Sequence, residues 1–551
     1  MKNIFENRNT FNVLLLCIFV LITGTFKIYN PSEIYWDFVN YHYYNAWAFF
    51  HHRLGYDIAP AQINTYFNPL LDIPYYLMLN AWQNTPSVIH FFQGMWYGIL
   101  CFVVCKICFL FFDLKKETLA SICACLIAMT GYSALSQMGV CSNEVQVSTL
   151  ILLGFYLICK HIPDVQRKKS VWLWSGLIMG FALGLKPTVI CYCLAMGGIL
   201  IVFSKPLHIS YKEIIVFALS GMIGYLLANG WWMWQLYSHF DNPFFPFLNK
   251  IFQSDYYEVY NFRDEHYLNS TTLLEKLYLP ILISFGSLKN NYVSEGYFFD
   301  VRYALTYCIL IGMFLKWLLT DRKISSLRNT LLYVFLVTSF IIWAGVFSII
   351  RYAIPIEMLT AIVIVKFFQK INPKGMLSFC LLTSFYIIGF YALVSEVPNY
   401  LKIWRIGNEG FVKLFEPLER QINVPDDALV QTYGYPSAMI AARIIGEKPN
   451  RILNYANGHT GHNIDFVETH KFSRLRDSIV RQHQGPVIAI IASNYFSRTS
   501  IEAEFFASLA RKRQAILESE GMYCRLFLLT DKIIVCTPEE YKEQVFVKDK
   551  K

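Results

Sequence analysis

The chain has 551 residues, 55% of them hydrophobic and only 16% charged, whereas a soluble protein usually carries about a quarter charged residues. The shortfall lies in residues 11–395, whose many long apolar runs exclude both a soluble globular protein and a lone secretory signal. The formal net charge of +9 implies no nucleic-acid partner, because the basic residues cluster in one set of loops between apolar runs, as in membrane proteins.

Crossing a bilayer core of about 30 Å takes roughly 20 apolar residues. The first run, Phe11 to Tyr29, is followed by no small-residue cleavage site and reads as a retained span at 11–29. Further spans are predicted at 89–112, 118–136, 144–160, 171–185, 187–204, 213–235, 303–320, 330–349, 354–370 and 375–395, about eleven by the length criterion. The segment 272–289, interrupted by Glu275, Lys276 and Pro280, suits a re-entrant or interfacial helix better. With the N-terminus in the cytoplasm, the cytoplasmic loops carry Lys115, Lys116, Lys160, Arg167, Lys168, Lys169, Lys205, Lys212, Arg322, Lys323, Arg328, Lys370 and Lys374. The short loops on the other side carry chiefly Lys186 and Arg351. This asymmetry predicts a multi-pass protein of a bacterial inner membrane, with its C-terminal part on the periplasmic side.

Three outer pieces, 30–88, 236–302 and 396–551, are too long to be connectors, and long ordered loops are usually functional. The tail has soluble α/β character. Strands are expected from Ala428 to Thr432, Val487 to Ala492, Leu526 to Thr530 and Ile533 to Val535, with a helix from about Ser500 to Glu518. Cys524 and Cys536 flank a turn at Thr530-Asp531-Lys532, where a disulfide could form in an oxidising compartment. Cys101, Cys105 and Cys108 follow a helical spacing and read as small hydrophobes. The expected fold is therefore an α-helical polytopic membrane domain over 1–395 followed by a soluble α/β domain over 396–551. No P-loop, dinucleotide fingerprint or nucleophile elbow occurs.

In the first outer loop, residues 36–54 (WDFVNYHYYNAWAFFHHRL) read as a helix ended by Gly55. Steps of three and four put Asp37, Asn40, Tyr41, Tyr44 and Asn45 on one face. Phe38, Ala46, Phe49 and Phe50 offer apolar surface for lying along the membrane. Asp37 falls about one turn beyond the first span, at the membrane–water boundary. Gly and Pro then mark turns before a second apolar segment.

The order Asp37, Tyr41/Tyr44/Ala46, Gly55-Tyr56 and Tyr66-Phe67-Asn68-Pro69 resembles the GT-C class of integral-membrane glycosyltransferases. Its mannosyltransferase-like branch, which uses polyprenyl-phosphate sugars, is similar in this spacing. Two further segments resemble the class: AGVFSIIRYAIPIE near 344–357, and the Trp-rich NGWWMWQLYSHFDNPFFPFLNKIFQ at 229–253. The resemblance covers approximately residues 1–395 and implies transfer of a sugar from a polyprenyl-phosphate-linked donor to a lipid, glycan or protein acceptor, with inversion. Branches with a D-x-D or D-E pair differ here, since Phe38-Val39 follows Asp37, so a divalent metal is not favoured and no cofactor is expected.

Such chemistry needs a base for the acceptor's proton, worth about 10²–10⁴-fold, and a cation for the leaving phosphate. Asp37 is the candidate base and Arg351 the first candidate for the phosphate, because it opposes the charge bias of the whole chain. Lys186 in GLKPT is the second. Tyr41, Tyr44, His42 and Glu144 are candidate substrate-binding residues, whereas Asp57 and Asp72 read as turn or structural groups. Glu357, costly in lipid, is expected to face the bundle or pair with Arg351 or another base. The adjacent His51 and His52 point apart on a helix and make no metal pair. Two other functions are compatible: a transporter or flippase for a lipid-linked or anionic substrate, and a non-catalytic assembly partner. Ionisable residues clustered at one face rather than mid-membrane favour the enzyme.

Overall fold

The computed structural model describes residues 8–31, 33–34, 37–162, 169–259, 272–285, 293, 300–319, 326–371, 375, 377–378, 381, 384, 404–405, 410–433, 437–455, 471–492, 500–528 and 532–547. Trp36, the span expected at 375–395 (five positions excepted), the loop charges Arg167, Lys168, Arg322, Lys323 and Lys374, and the turn residues Thr530 and Asp531 lie outside the described residues. The membrane half is built of α1 Arg8–Tyr29, α2 Tyr43–Phe50, α3 Ile73–Ala81, α4 Pro86–Phe111, α5 Thr118–Met129, α6 Glu144–His161, α7 Lys169–Leu185, α8 Ile190–Val202, α9 Tyr211–Phe240, α10 Val301–Leu319, α11 Leu327–Val346 and α12 Ile354–Ile371. Among the described residues, five helices are long and apolar enough to cross a membrane: Asn9–Tyr29, Pro86–Phe111, Tyr211–Phe240, Val301–Leu319 and Leu327–Val346.

Local chemistry accounts for the ends of these helices. α9 starts at a capping box, in which Ser210 Oγ accepts from the Glu213 amide while Glu213 returns a bond to the Ser210 amide. The other Glu213 oxygen accepts from Trp172 Nε1 at 2.7 Å, tying α9 to α7. The same two helices meet along a stripe of small residues, Gly176, Gly180 and Gly184 against Gly221 and Gly224. A Cβ on Gly180 would lie 1.9 Å from the Gly221 carbonyl oxygen. Without a hydrophobic drive between helices in lipid, close backbone approach of this kind supplies the dispersion contact.

The span expected at 118–136 is broken instead at Gly131, after which a short helix Tyr132–Ser136 begins. The break has a cause. Glu357 of α12 accepts from the Ser133 and Ala134 amides at 2.9 and 3.1 Å, and a Cβ on residue 131 would overlap its carboxylate. Glu357 also pairs with Arg302 at 3.3 Å, and Arg302 pairs with Asp300. All three are fully buried, so the partner of Glu357 is Arg302 rather than Arg351. Burying charges is costly, and the site is tolerated because each group is paired and hydrogen-bonded. In the first loop, the helix expected over 36–54 stops five residues before Gly55. It is a π-helical turn, Phe38–His42, running into α2. Phe38 and Ala46 are buried in protein, not lying along the membrane, while Phe49 and Phe50 remain exposed.

The C-terminal domain carries a five-stranded mixed sheet of β1 Leu429–Tyr433, β2 Ile452–Asn454, β3 Val487–Ala492, β4 Met522–Leu528 and β5 Lys532–Pro538, in the order β2-β1-β3-β5-β4. β1 runs parallel to β2 and β3, and β5 antiparallel to β3 and β4. A helix Ser500–Ser519 packs on it. Cys524 and Cys536 stand opposite each other on β4 and β5 and form a disulfide. The domain is not a separate bead. The first loop docks beside β2, the Ile58 amide donating to Ile452 O at 2.9 Å and the Asn454 amide to Ile58 O at 3.1 Å. Trp47 Nε1 donates to Gly446 O at 3.1 Å.

Candidate active site

Three turns at helix ends converge beside the π-turn. Asp37 opens the first. Arg351 lies in the 3-10 turn Ile350–Ala353 between α11 and α12, which is held by Trp343 Nε1 donating to Ile349 O at 2.8 Å. Lys186 follows α7, where Pro187 stops the helix. Arg351 Nη1 donates to Asp37 Oδ2 at 2.8 Å, and these side chains keep 20% and 15% of their surface exposed, so the pair can be reached. Lys186 pairs with Glu144, whose side chain is only 2% exposed, and donates to Ser142 O at 2.6 Å. The two cations share one aromatic neighbour, Tyr352, with its ring centroid 5.5 Å from the Arg351 guanidinium and 5.8 Å from Lys186 Nζ. Tyr192 fixes that turn from α8 by donating to Tyr352 O at 2.6 Å.

Burial pushes the Asp37 carboxyl up, but Arg351 foremost, with His42 and Lys186, outweighs this and holds it below the usual carboxylate range. Tyr41, on the same turn, has its hydroxyl pushed well above the usual range by burial and by the Asp37 charge, and stays a neutral donor. Its ring packs at 4.1 Å from the His42 ring and 5.5 Å from Phe67. His42 is buried and meets Asp72 Oδ1 through Nδ1 at 2.7 Å. Asn40 has no exposed surface and both its amide atoms lack a hydrogen-bond partner among the described residues. Buried polar groups are usually satisfied, so such an orphan asks for an explanation such as a ligand.

Of the residues singled out in the sequence, Asp37, Arg351, Lys186, Glu144, His42 and Tyr41 are therefore brought together. Tyr44 is not. It donates to Asp57 Oδ2 at 2.8 Å inside a separate buried network with Arg53, under the contact with β2. Asp72 and Tyr352 were not among the candidate site residues. Asp72 stands between a 3-10 turn and α3 and read as a turn residue, and Tyr352 is simply the neighbour of Arg351. Among the described residues, no group of three or more His, Cys, Asp or Glu side chains is gathered as for a metal ion.

No protein-family model matches the chain, and no curated protein does. Among solved structures the chain is similar to ArnT from Cupriavidus metallidurans bound to undecaprenyl phosphate, with a TM-score of 0.53 and 9% identity, over 95% of this chain and 97% of that one. The apo state of the same protein gives a TM-score of 0.48 and 8% identity at the same coverage. The fold is thus a GT-C-like arrangement of membrane helices with a C-terminal sheet domain. At 9% identity the likeness extends to the fold and not to individual residues.

Proposed function

We propose that the chain is an inverting glycosyltransferase that moves a sugar from a polyprenyl-phosphate-linked donor to an acceptor at the periplasmic face of the inner membrane. The observation that carries this reading is the meeting of Asp37, Arg351 and Lys186 at one partly open place, in a fold similar to one solved with undecaprenyl phosphate. A guanidinium and an ammonium beside a carboxylate are the groups that transfer from a lipid phosphate requires: cations for the leaving phosphate, and a base for the acceptor proton. Charge neutralisation is assigned to Arg351 and Lys186 rather than to a divalent ion, since Asp37 has no acidic neighbour in the chain. Tyr41 and Glu144 line the same place. Glu144 acts through Lys186, and Tyr41 offers a neutral hydroxyl to the donor.

In this mechanism Arg351 and Lys186 take the donor phosphate. The acceptor oxygen and the leaving oxygen lie on opposite sides of the anomeric carbon, so the Asp37–Arg351 pair opens as the sugar enters between them. The bond from the anomeric carbon to the phosphate oxygen breaks with its electrons on the phosphate. The acceptor oxygen bonds to that carbon, and its proton passes to Asp37. Purified protein given a polyprenyl-phosphate-linked sugar and an acceptor fraction should release polyprenyl phosphate. Release that is equally fast in Asp37→Asn would refute the assignment of the base.

A further inference from the structure

The first turn beside the site has an unusual backbone. Over Phe38–His42 it is π-helical, with the Tyr43 amide donating to Phe38 O five residues back. Such turns are rare and recur at functional sites. On an α-helix, residues five apart point to different sides. A turn closed by i→i+5 bonds brings them towards one side instead, and this turns His42 towards Asp37, close enough for the two side chains to interact. The His42 side chain is 7% exposed. Its Nδ1 sits 2.7 Å from Asp72 Oδ1, and Asp72 is held in turn by Asn143 Nδ2 at 3.3 Å. Its Nε2 is buried and has no hydrogen-bond partner among the described residues.

An ionised carboxylate only accepts hydrogen bonds, so a ring hydrogen belongs on Nδ1, and in the neutral form of the ring Nε2 presents a bare lone pair. A buried acceptor with nothing to accept is costly unless something visits it. We propose that His42 is the proton carrier of this site and that Asp72 is the residue that positions it. The inference rests on the glycosyl-transfer reading. The acceptor proton taken by Asp37 passes on to Nε2 of His42, forming an imidazolium balanced by the Asp72 carboxylate, and leaves from there to water as the site empties. Asp37 is suited to handing the proton on, because its pair with Arg351, re-formed as the phosphate leaves, keeps its carboxyl acidic. The charged and titratable groups that bear on the path are Asp72 from the turn before α3, Asp37 and Tyr41 on its own turn, and Arg351 and Lys186, which act on Asp37 from two other helix ends.

The test uses full-length protein labelled with 15N-histidine, with the His42 signal found by difference from H42Q. The expected neutral tautomer carries its hydrogen on Nδ1; a hydrogen on Nε2 overturns the proposal whatever the enzyme does. A second arm measures sugar transfer from a polyprenyl-phosphate-linked donor against pH. H42Q should lower kcat about 10²-fold and remove the acid limb of the kcat/KM profile, and the near-isosteric D72N should lose part of the same rate. An H42Q profile with the wild-type shape overturns the proposal. If H42Q does not fold, the wild-type signal is assigned through D72N, which perturbs that ring directly, and the same tautomer criterion applies. Wild-type protein that transfers no sugar refutes the glycosyltransferase reading instead, and the tautomer still decides the Asp72–His42 arrangement.

Discussion

Asp57 joins the first loop to the C-terminal sheet, and replacing it with Asn tests how firmly. Its Oδ1 accepts from Arg53 Nη2 at 2.7 Å and from the Ile452 amide at 2.8 Å. Its Oδ2 accepts from Arg53 Nε at 2.9 Å and from Tyr44 Oη at 2.8 Å. The two charged side chains are 5% and 1% exposed. Asp57→Asn keeps the shape but leaves Arg53 buried without its counter-charge and turns an amide hydrogen towards two donors. Removing one partner of a buried ion pair costs about 3–5 kcal/mol. Arg53 keeps the Asn450 carbonyl and the rings of Trp47 and Tyr56, which argues for the lower end. At about 1.4 kcal/mol per tenfold, the opening equilibrium of this contact should rise by at least about 10²-fold. Hydrogen exchange read by mass spectrometry over residues 57–59 and 452–454 reports it directly, through the Ile58, Ile452 and Asn454 amides that close the contact. Exchange within about threefold of wild type there would refute the claim that the Asp57–Arg53 pair holds the two parts together.

Three further outcomes are expected. Asp37→Asn should lower sugar transfer by about 10²–10⁴-fold while polyprenyl phosphate still binds, as followed by tryptophan fluorescence; loss of binding alone would mean that Asp37 is not the base. The Asp37 carboxyl is held low, so the stability contributed by its pair with Arg351 is fully present above the unfolded value near 4 and is lost only as pH falls through the lower folded value. Thermal unfolding followed from about pH 6 down to pH 3 should show that loss in wild type and not in Arg351→Met; identical curves would remove the pair as its source. Gly180→Ala puts a methyl against the Gly221 carbonyl and should destabilise the α7–α9 packing by about 1–3 kcal/mol, seen as a lower unfolding midpoint in detergent. A midpoint equal to wild type would mean that the backbones need not approach this closely.

Much of the plan was legible in the chain. Apolar runs marked nine of the helical segments to within about five residues, since length and hydropathy are local properties. Val487–Ala492 is a strand with the expected ends, and Cys524 and Cys536 pair as the turn between them suggested. β2, only three residues long, gave too short a pattern to read. Arg351 and Lys186 could be singled out because each is a cation on the face poor in cations, and Asp37 because it opens the order of motifs that resembles the GT-C class.

What stayed hidden depends on contacts between distant residues. Steps of three and four placed Tyr44 with Asp37, whereas the π-turn swings it away to Asp57 and brings His42 towards the carboxylate instead. No propensity marks a π-turn, because it is stabilised by what packs around it rather than by its own residues. Glu357 could be expected to need a base, but only the approach of α10 to α12 decides that the base is Arg302. The sequence by itself determined that this chain crosses a membrane and which charges are out of place. The tertiary structure alone decided which charge meets which, since hydropathy is summed along the chain while an ion pair acts across a few ångströms of space.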